Sequence, residues 1–265
     1  MGHVIRSVAV ATFAVCLAAC ATSSGPSGPG WRSLFDGKTL AGWTPKIRGF
    51  PLGENYLDTY TAGNGVLKVS YDKYDKFGER YGHLFYKTPF KTYKLRLEYR
   101  FIGKTPADTP GWAIANNGVM IFSQDPKTMA VGDSFPVSVE AQILGPAEGQ
   151  KRTNGNMCSP GTNVVMGGKL ITEHCINSGV PAAPNGEWVK FEVDVLPSGE
   201  VVEYQNGVET IRFSGVQLDP EGRMANSKPL IAAAGGKLTL DRGYICLQSE
   251  GAPIEFRNIE IMELR

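Results

Sequence analysis

Tyr93-Lys94-Leu95-Arg96-Leu97-Glu98-Tyr99-Arg100-Phe101 is the stretch that decides the fold. Every odd position is apolar and every even position is charged, the two-residue period of a strand with one wet face. The same alternation returns where Val189, Phe191, Val193 and Val195 interleave with Lys190, Glu192 and Asp194. Further along, Val201 to Gln205 meets Val208 to Phe213 across Asn206-Gly207, a dipeptide that favours a tight hairpin. Gly167-Gly168 turns a second hairpin between Val164-Val165-Met166 and Lys169-Leu170-Ile171. No segment keeps a helical apolar stripe over about 12 residues without Gly or Pro. A sheet with one apolar face must bury it against another layer, and no helical layer is on offer. The expectation is an all-β, antiparallel two-sheet sandwich.

Composition agrees. Of 265 residues 42% are hydrophobic and 20% charged, enough apolar side chain to bury a core. Gly 32 and Pro 17 leave little room for long helices. Lys+Arg 27 against Asp+Glu 26 gives a formal charge of +1, so no basic face for nucleic acid is expected. No apolar run approaches the roughly 20 residues of a membrane-spanning helix.

Residues 1–19 read as a signal peptide, with Arg6 ahead of the apolar stretch Val8 to Ala19. Leu17-Ala18-Ala19-Cys20 resembles the bacterial lipobox, which implies lipidation of Cys20; ordinary signal cleavage is the other reading. Residues 20–30, rich in Gly, Ser and Pro, form a lipid-anchor tether, and 31–265 a single β-sandwich domain. The expected location is the bacterial cell envelope, as a lipoprotein facing periplasm or cell surface and touching membrane through its lipid alone.

Export permits disulfides. Cys16 leaves with the signal and Cys20 carries lipid, so Cys158, Cys175 and Cys246 remain. A Cys158–Cys175 disulfide is favoured, closing a loop for about 3 kcal/mol of stabilisation. A metal site using His174 with Cys175 is the competing reading, although no Cys-x-x-Cys or paired-histidine spacing supports it. Cys246 sits in an apolar run and reads as a buried small hydrophobe.

Two strands carry unusual polar faces. In Val137 to Leu144 the residues Val137, Val139, Ala141 and Ile143 share one face, and Ser138, Glu140 and Gln142 the other. In Tyr244 to Glu250, Gln248 and Glu250 share a face with Cys246, while Ile245 and Leu247 point the opposite way. Rows of amide and carboxylate groups can grip sugar hydroxyls, and they can equally be a solvated outer face.

Leu34-Phe35-Asp36-Gly37-Lys38-Thr39-Leu40-Ala41-Gly42-Trp43 resembles the opening signature of the 3-keto-disaccharide hydrolase family. Gly82-His83-Leu84-Phe85-Tyr86, Asn116-Asn117-Gly118, Glu140-Ala141-Gln142, the Cys158 to Cys175 insertion and the ending Gln248-Ser249-Glu250 to Phe256-Arg257-Asn258-Ile259 resemble its later blocks, in order. The resemblance spans nearly the whole domain. It implies a concanavalin/LamG-like jelly roll and a carbohydrate substrate, a glycoside oxidised at sugar C3. Departures occur at Ala115, where the family often has Arg, at Asn117, where it has Ser, and at Gly251 and Ala252, where many members carry His.

A C3 ketone acidifies the C2 hydrogen, so a base can remove that proton and expel the C1 leaving group. Water then adds back, giving net hydrolysis. Glu140 or His83 is the candidate base, with His174 and Glu250 the next titratable groups. Asn117, Gln142 and Gln248 would orient hydroxyls. Arg257 would stabilise the enediolate or merely pair with Glu255 or Glu250. A divalent cation on Glu140 and a neighbouring His or Glu is one option for the electrophile. Trp31, Trp43, Trp112 and Trp188 are candidates for stacking on sugar, with Trp43 and Trp188 read rather as core. A non-catalytic, lectin-like carbohydrate-binding module is the alternative class. No triad, zinc-helix, phosphate-loop or dinucleotide motif occurs.

Overall fold

A computed structural model describes Met1 and residues 28–265. Apart from Met1, the expected signal peptide, with Cys16, Cys20 and most of the expected tether, lies outside the described residues. The alternating stretch is the strand Tyr93–Phe101, whose odd positions are all buried. It lies inside a ten-stranded antiparallel sheet, between Val189–Val195 and Ile254–Glu263. Its charged positions meet opposite charges across the strands: Lys94 with Asp194 at 2.5 Å, Arg96 with Glu260 at 2.6 Å, Glu98 with Arg257 at 2.6 Å and Arg100 with Glu255 at 2.7 Å. These pairs fix register more than they add stability.

Both expected hairpins form. Glu200–Gln205 turns into Val208–Leu218 with Asn206 at φ 51° and Gly207 at φ 80°, the left-handed pair that a tight hairpin turn requires. Thr162–Met166 pairs with Lys169–Ile171 across Gly167-Gly168. The helix Lys228–Ala233 is the one α-helix among the described residues, only six residues long.

A second sheet of seven strands runs in the order Cys175–Ile176, Asn156–Cys158, Val139–Leu144, Asn116–Ser123, Tyr244–Ser249, Gly82–Tyr86, Trp43–Ile47. The main core lies between the sheets. Leu95, Leu97, Phe191 and Val193 from one share a cluster with Leu84, Val119, Val139, Ala141, Ile143, Ile245 and Leu247 from the other. Because side chains alternate, Glu140, Gln142, Cys246 and Gln248 are thereby turned to the outer face of the seven-stranded sheet. Cys246 is buried there against Phe85, Met120 and Met129. Cys158 and Cys175 face each other on adjacent strands and form the disulfide.

A carboxyl also intrudes into the core. Glu203 lies opposite Val193 and Ile211, fully buried, and neither carboxyl oxygen has a hydrogen-bond partner. Burial first, and the nearby Glu140 second, hold its carboxyl well above the usual range. The native state therefore keeps a proton that the unfolded chain releases above its ordinary value, at about 1.4 kcal/mol per pH unit. This contribution is fully present below the unfolded value and is lost as pH rises. Calorimetry from pH 5 to 8 should show a falling Tm. Glu203→Gln should raise Tm at pH 8 and make the slope less steep. A variant less stable than wild type at pH 8 would reject this account.

Candidate functional site

The site grows out of the register of the seven-stranded sheet. Lys46 pairs with His83, His83 with Gln248, Gly118 with Gln142, and Gln142 with Asn156. The pairing of Leu247 with Val119 sets Gln248 beside Gly118, so one row of polar groups crosses six strands. The row next to it holds Phe85, Cys246, Met120, Glu140, Cys158 and Cys175. Gly118 is the gap in the polar row. A Cβ there would stand 2.5 Å from both Cγ and Oε1 of Glu140, so the Glu140 side chain lies over the glycine.

Above this floor is a cavity of about 720 Å³, within the range that encloses small-molecule ligands. Glu140, Gln142, Asn116 and Glu250 line it, with Trp112 and Phe135 on its wall and His174 beside the Cys158–Cys175 disulfide. Glu140 Oε1 is buried without a partner. Burial raises the Glu140 carboxyl to about 8. Glu250 is raised well above its ordinary value, by burial first and by Glu140 second. Both carboxyls are therefore held toward the protonated form, Glu140 by burial and Glu250 by burial and by Glu140. Gln142 Oε1 accepts from Asn156 Nδ2 at 3.0 Å, which leaves the Gln142 amide to donate. Burial lowers His174, and its Nδ1 has no partner.

Of the eight expected site residues, Glu140, Gln142, His174 and Glu250 meet on the cavity wall. The other four are placed differently. His83 is buried under Phe135, ring centroids 6.1 Å apart, and is not part of the cavity wall. Burial, with Lys46 a smaller influence, lowers it to about 3, so it is a neutral imidazole. Gln248 is also fully buried, and neither of its amide atoms has a partner. Asn117 belongs to the inner face with Val119 and Ile121. Its Nδ2 donates to Gln248 O at 2.7 Å and its Oδ1 accepts from Gly118 N at 2.9 Å, so it staples strands; its neighbour Asn116 is the one that lines the cavity. Arg257 is on the other sheet, pairing with Glu98 rather than Glu255 or Glu250, its guanidinium 3.9 Å from the Trp188 ring centroid. Trp188 is accordingly half-buried on that outer face, not in the core, whereas Trp43 is in the core.

Sequence reasoning missed Lys46, Asn116, Gly118 and Arg152. Lys46 and Gly118 belong to the polar row by cross-strand register, which a single sequence does not display. Asn116 had a local signal: it shares parity with Met120, while Asn117 shares parity with the β-branched Val119 and Ile121.

Among the described residues the acidic floor brings together no three-ligand group of carboxylate, imidazole or thiolate atoms. Among the described residues, three ligand atoms within 4.8 Å of one another occur only at Cys158, His174 and Cys175, where the two sulfurs are bonded to each other. Glu140, Glu250 and His83 form no such group of carboxylate, imidazole or thiolate ligands.

No curated protein matches the chain. Two crystal structures of candidate glycosyl hydrolases from Parabacteroides distasonis ATCC 8503 share the fold. The first is 20% identical, covering 88% of this chain and 99% of its own, with TM-score 0.52. The second is 17% identical, covering 89% and 94%, with TM-score 0.50. A β-glucanase from Bacillus licheniformis is 11% identical over 92% of this chain and 100% of its own, with TM-score 0.49. The model of the 3-keto-alpha-glucoside-1,2-lyase-like domain matches residues 30–262, so the chain belongs to that carbohydrate-active family.

Proposed function

We propose that the protein cleaves 3-keto-glycosides by proton abstraction at C2, elimination across C1–C2 and hydration. The observation that carries this reading is the pair of buried, raised carboxyls, Glu140 and Glu250, on one cavity wall. Such a pair supplies a base and an acid together. The ionised Glu140 takes the C2 proton, whose acidity comes from the neighbouring ketone. The C1–O bond breaks as the C1–C2 double bond forms, and the leaving oxygen takes the proton of Glu250. Water then adds at C1, giving a proton to the ionised Glu250, and the proton held by Glu140 returns to C2. Bonds and protons balance, and the sum is hydrolysis. In this reading the Gln142 amide donates to a sugar oxygen, which is supported by Asn156 already occupying its carbonyl.

Gly118 gives Glu140 its place, and the ketone substrate gives the pair its task. The competing reading is a binding module without turnover, which the departures at Gly251 and Ala252 favour. Incubating the protein with a 3-keto-disaccharide separates the two: released monosaccharide supports the enzyme, and retained binding without release supports the module.

Glu140→Gln should lower kcat at least a hundredfold with Tm equal to or above wild type, because a buried acid is replaced by a neutral isostere. A large loss of stability would mark Glu140 as structural instead. Since the base acts ionised and its carboxyl is raised to about 8, the acid limb of kcat/KM should lie near 8 rather than near the ordinary Glu range. A profile already flat by pH 6 would contradict the assignment. In Gly118→Ala the new methyl displaces the Glu140 side chain. It should cost kcat about tenfold or more while circular dichroism stays unchanged; wild-type kcat would show that the approach of Glu140 over Gly118 does not matter.

A further inference from the structure

The cavity has an apolar side that the proton chemistry does not use. Trp112 is 51% exposed, one of the most exposed large apolar side chains in the domain, and it lines the cavity. An indole left half in water is unfavourable by itself, so its being held in place calls for an explanation.

It is held from behind and from below. The ring stacks on Tyr81 with centroids 6.0 Å apart and planes 15° from parallel. Tyr81 is wedged in turn by Phe77 and Phe135, each with ring centroids 5.1 Å away. One indole face is therefore covered by an aromatic stack. The backbone beneath is clamped by Arg152, whose guanidinium donates to the carbonyls of Gly111 at 3.2 Å, Trp112 at 3.4 Å and Ile114. Gln150 Nε2 adds a bond to Gly111 O at 3.4 Å, and Asn116 Nδ2 one to Trp112 O at 3.3 Å. Arg152, Gln150 and Asn116 line the same cavity. The clamp joins the loop carrying Trp112 to the loop that follows the strand of Glu140, so platform and acidic floor are fixed relative to one another.

A rigid aromatic face loses little conformational freedom on binding. A glycoside offers two surfaces to such a face: the C–H side of a pyranose and the ring of an aryl aglycone. Both are flat and apolar, and both can lie against an indole while hydroxyls point at Gln142 and the acids.

We infer that Trp112, backed by Tyr81 and clamped through its backbone by Arg152, is the stacking platform for the ring at the mouth of the cavity, and that Arg152 is its positioning residue. The inference rests on the carbohydrate reading of the cavity, not on the elimination chemistry. Its ligand class is glycosides that present a flat ring beyond the reacting sugar.

Titration calorimetry with phenyl β-glucoside, which lacks the C3 ketone, tests binding alone. Wild type should bind it. Trp112→Ala should weaken Kd about tenfold, and Trp112→Phe should stay within about threefold of wild type. Arg152→Ala should follow Trp112→Ala, with circular dichroism unchanged and with its loss recovered in part by Arg152→Lys. On a 3-keto-disaccharide both alanine variants should raise KM more than they lower kcat, a split that a loss of folded protein does not produce. Wild type without measurable binding, or Trp112→Ala binding as wild type does, overturns the inference. Turnover with KM untouched in Trp112→Ala removes the platform and leaves the chemistry standing. Binding that depends on Trp112, without product from any 3-keto-glycoside, does the reverse.

Discussion

Water is kept away from the Glu140 carboxyl, and the character of the site follows from that exclusion. The strand Val139–Leu144 commits Val139, Ala141 and Ile143 to the space between the sheets, which turns Glu140 and Gln142 outward. An outward acid is normally solvated. Here the Glu140 side chain folds across Gly118 on the next strand, and loops carrying Phe135 and Trp112 close over the floor. Desolvation then does what no neighbouring charge does for Glu140: it holds the proton to about 8. Glu250 experiences both the dryness and the first carboxyl, and it too is held well above its ordinary value.

The two sheets divide labour accordingly. The outer face of the ten-stranded sheet spends its charges in cross-strand pairs, and Arg257 and Arg100 close over Trp188 there. The outer face of the seven-stranded sheet instead keeps polar atoms uncommitted, the partnerless amide of Gln248 and the single bare oxygen of Glu140. Glu203, on the inner face of the larger sheet, extends the unusual electrostatics into the core and ties stability to pH.

Much of this was legible in the sequence, for a physical reason. Alternation and turn chemistry are local, so Tyr93–Phe101, Val189–Val195 and both hairpins could be read directly, and the parity of Val139 to Ile143 sent Glu140 and Gln142 to the correct face. Burial by a distant loop is not local. His83 looked like a base because nothing near it in sequence announces Phe135 above it. Arg257 has the outward parity expected of a charged residue, but only strand order reveals Glu98 as its partner. Asn117 is a different case: its parity with Val119 and Ile121 pointed inward, and the family pattern outweighed that signal. The clamp of Arg152 on the loop of Trp112 joins residues 40 apart in sequence and left no local trace.

The seven-stranded sheet ends on one side in Cys175–Ile176, only two residues long and covalently tied to its neighbour, and on the other in Trp43–Ile47, which contains Pro45. A short, tethered margin and one interrupted by a residue with no N–H offer poor templates for another chain to extend. The sheet that carries the acids thereby presents margins that discourage recruitment of a foreign strand.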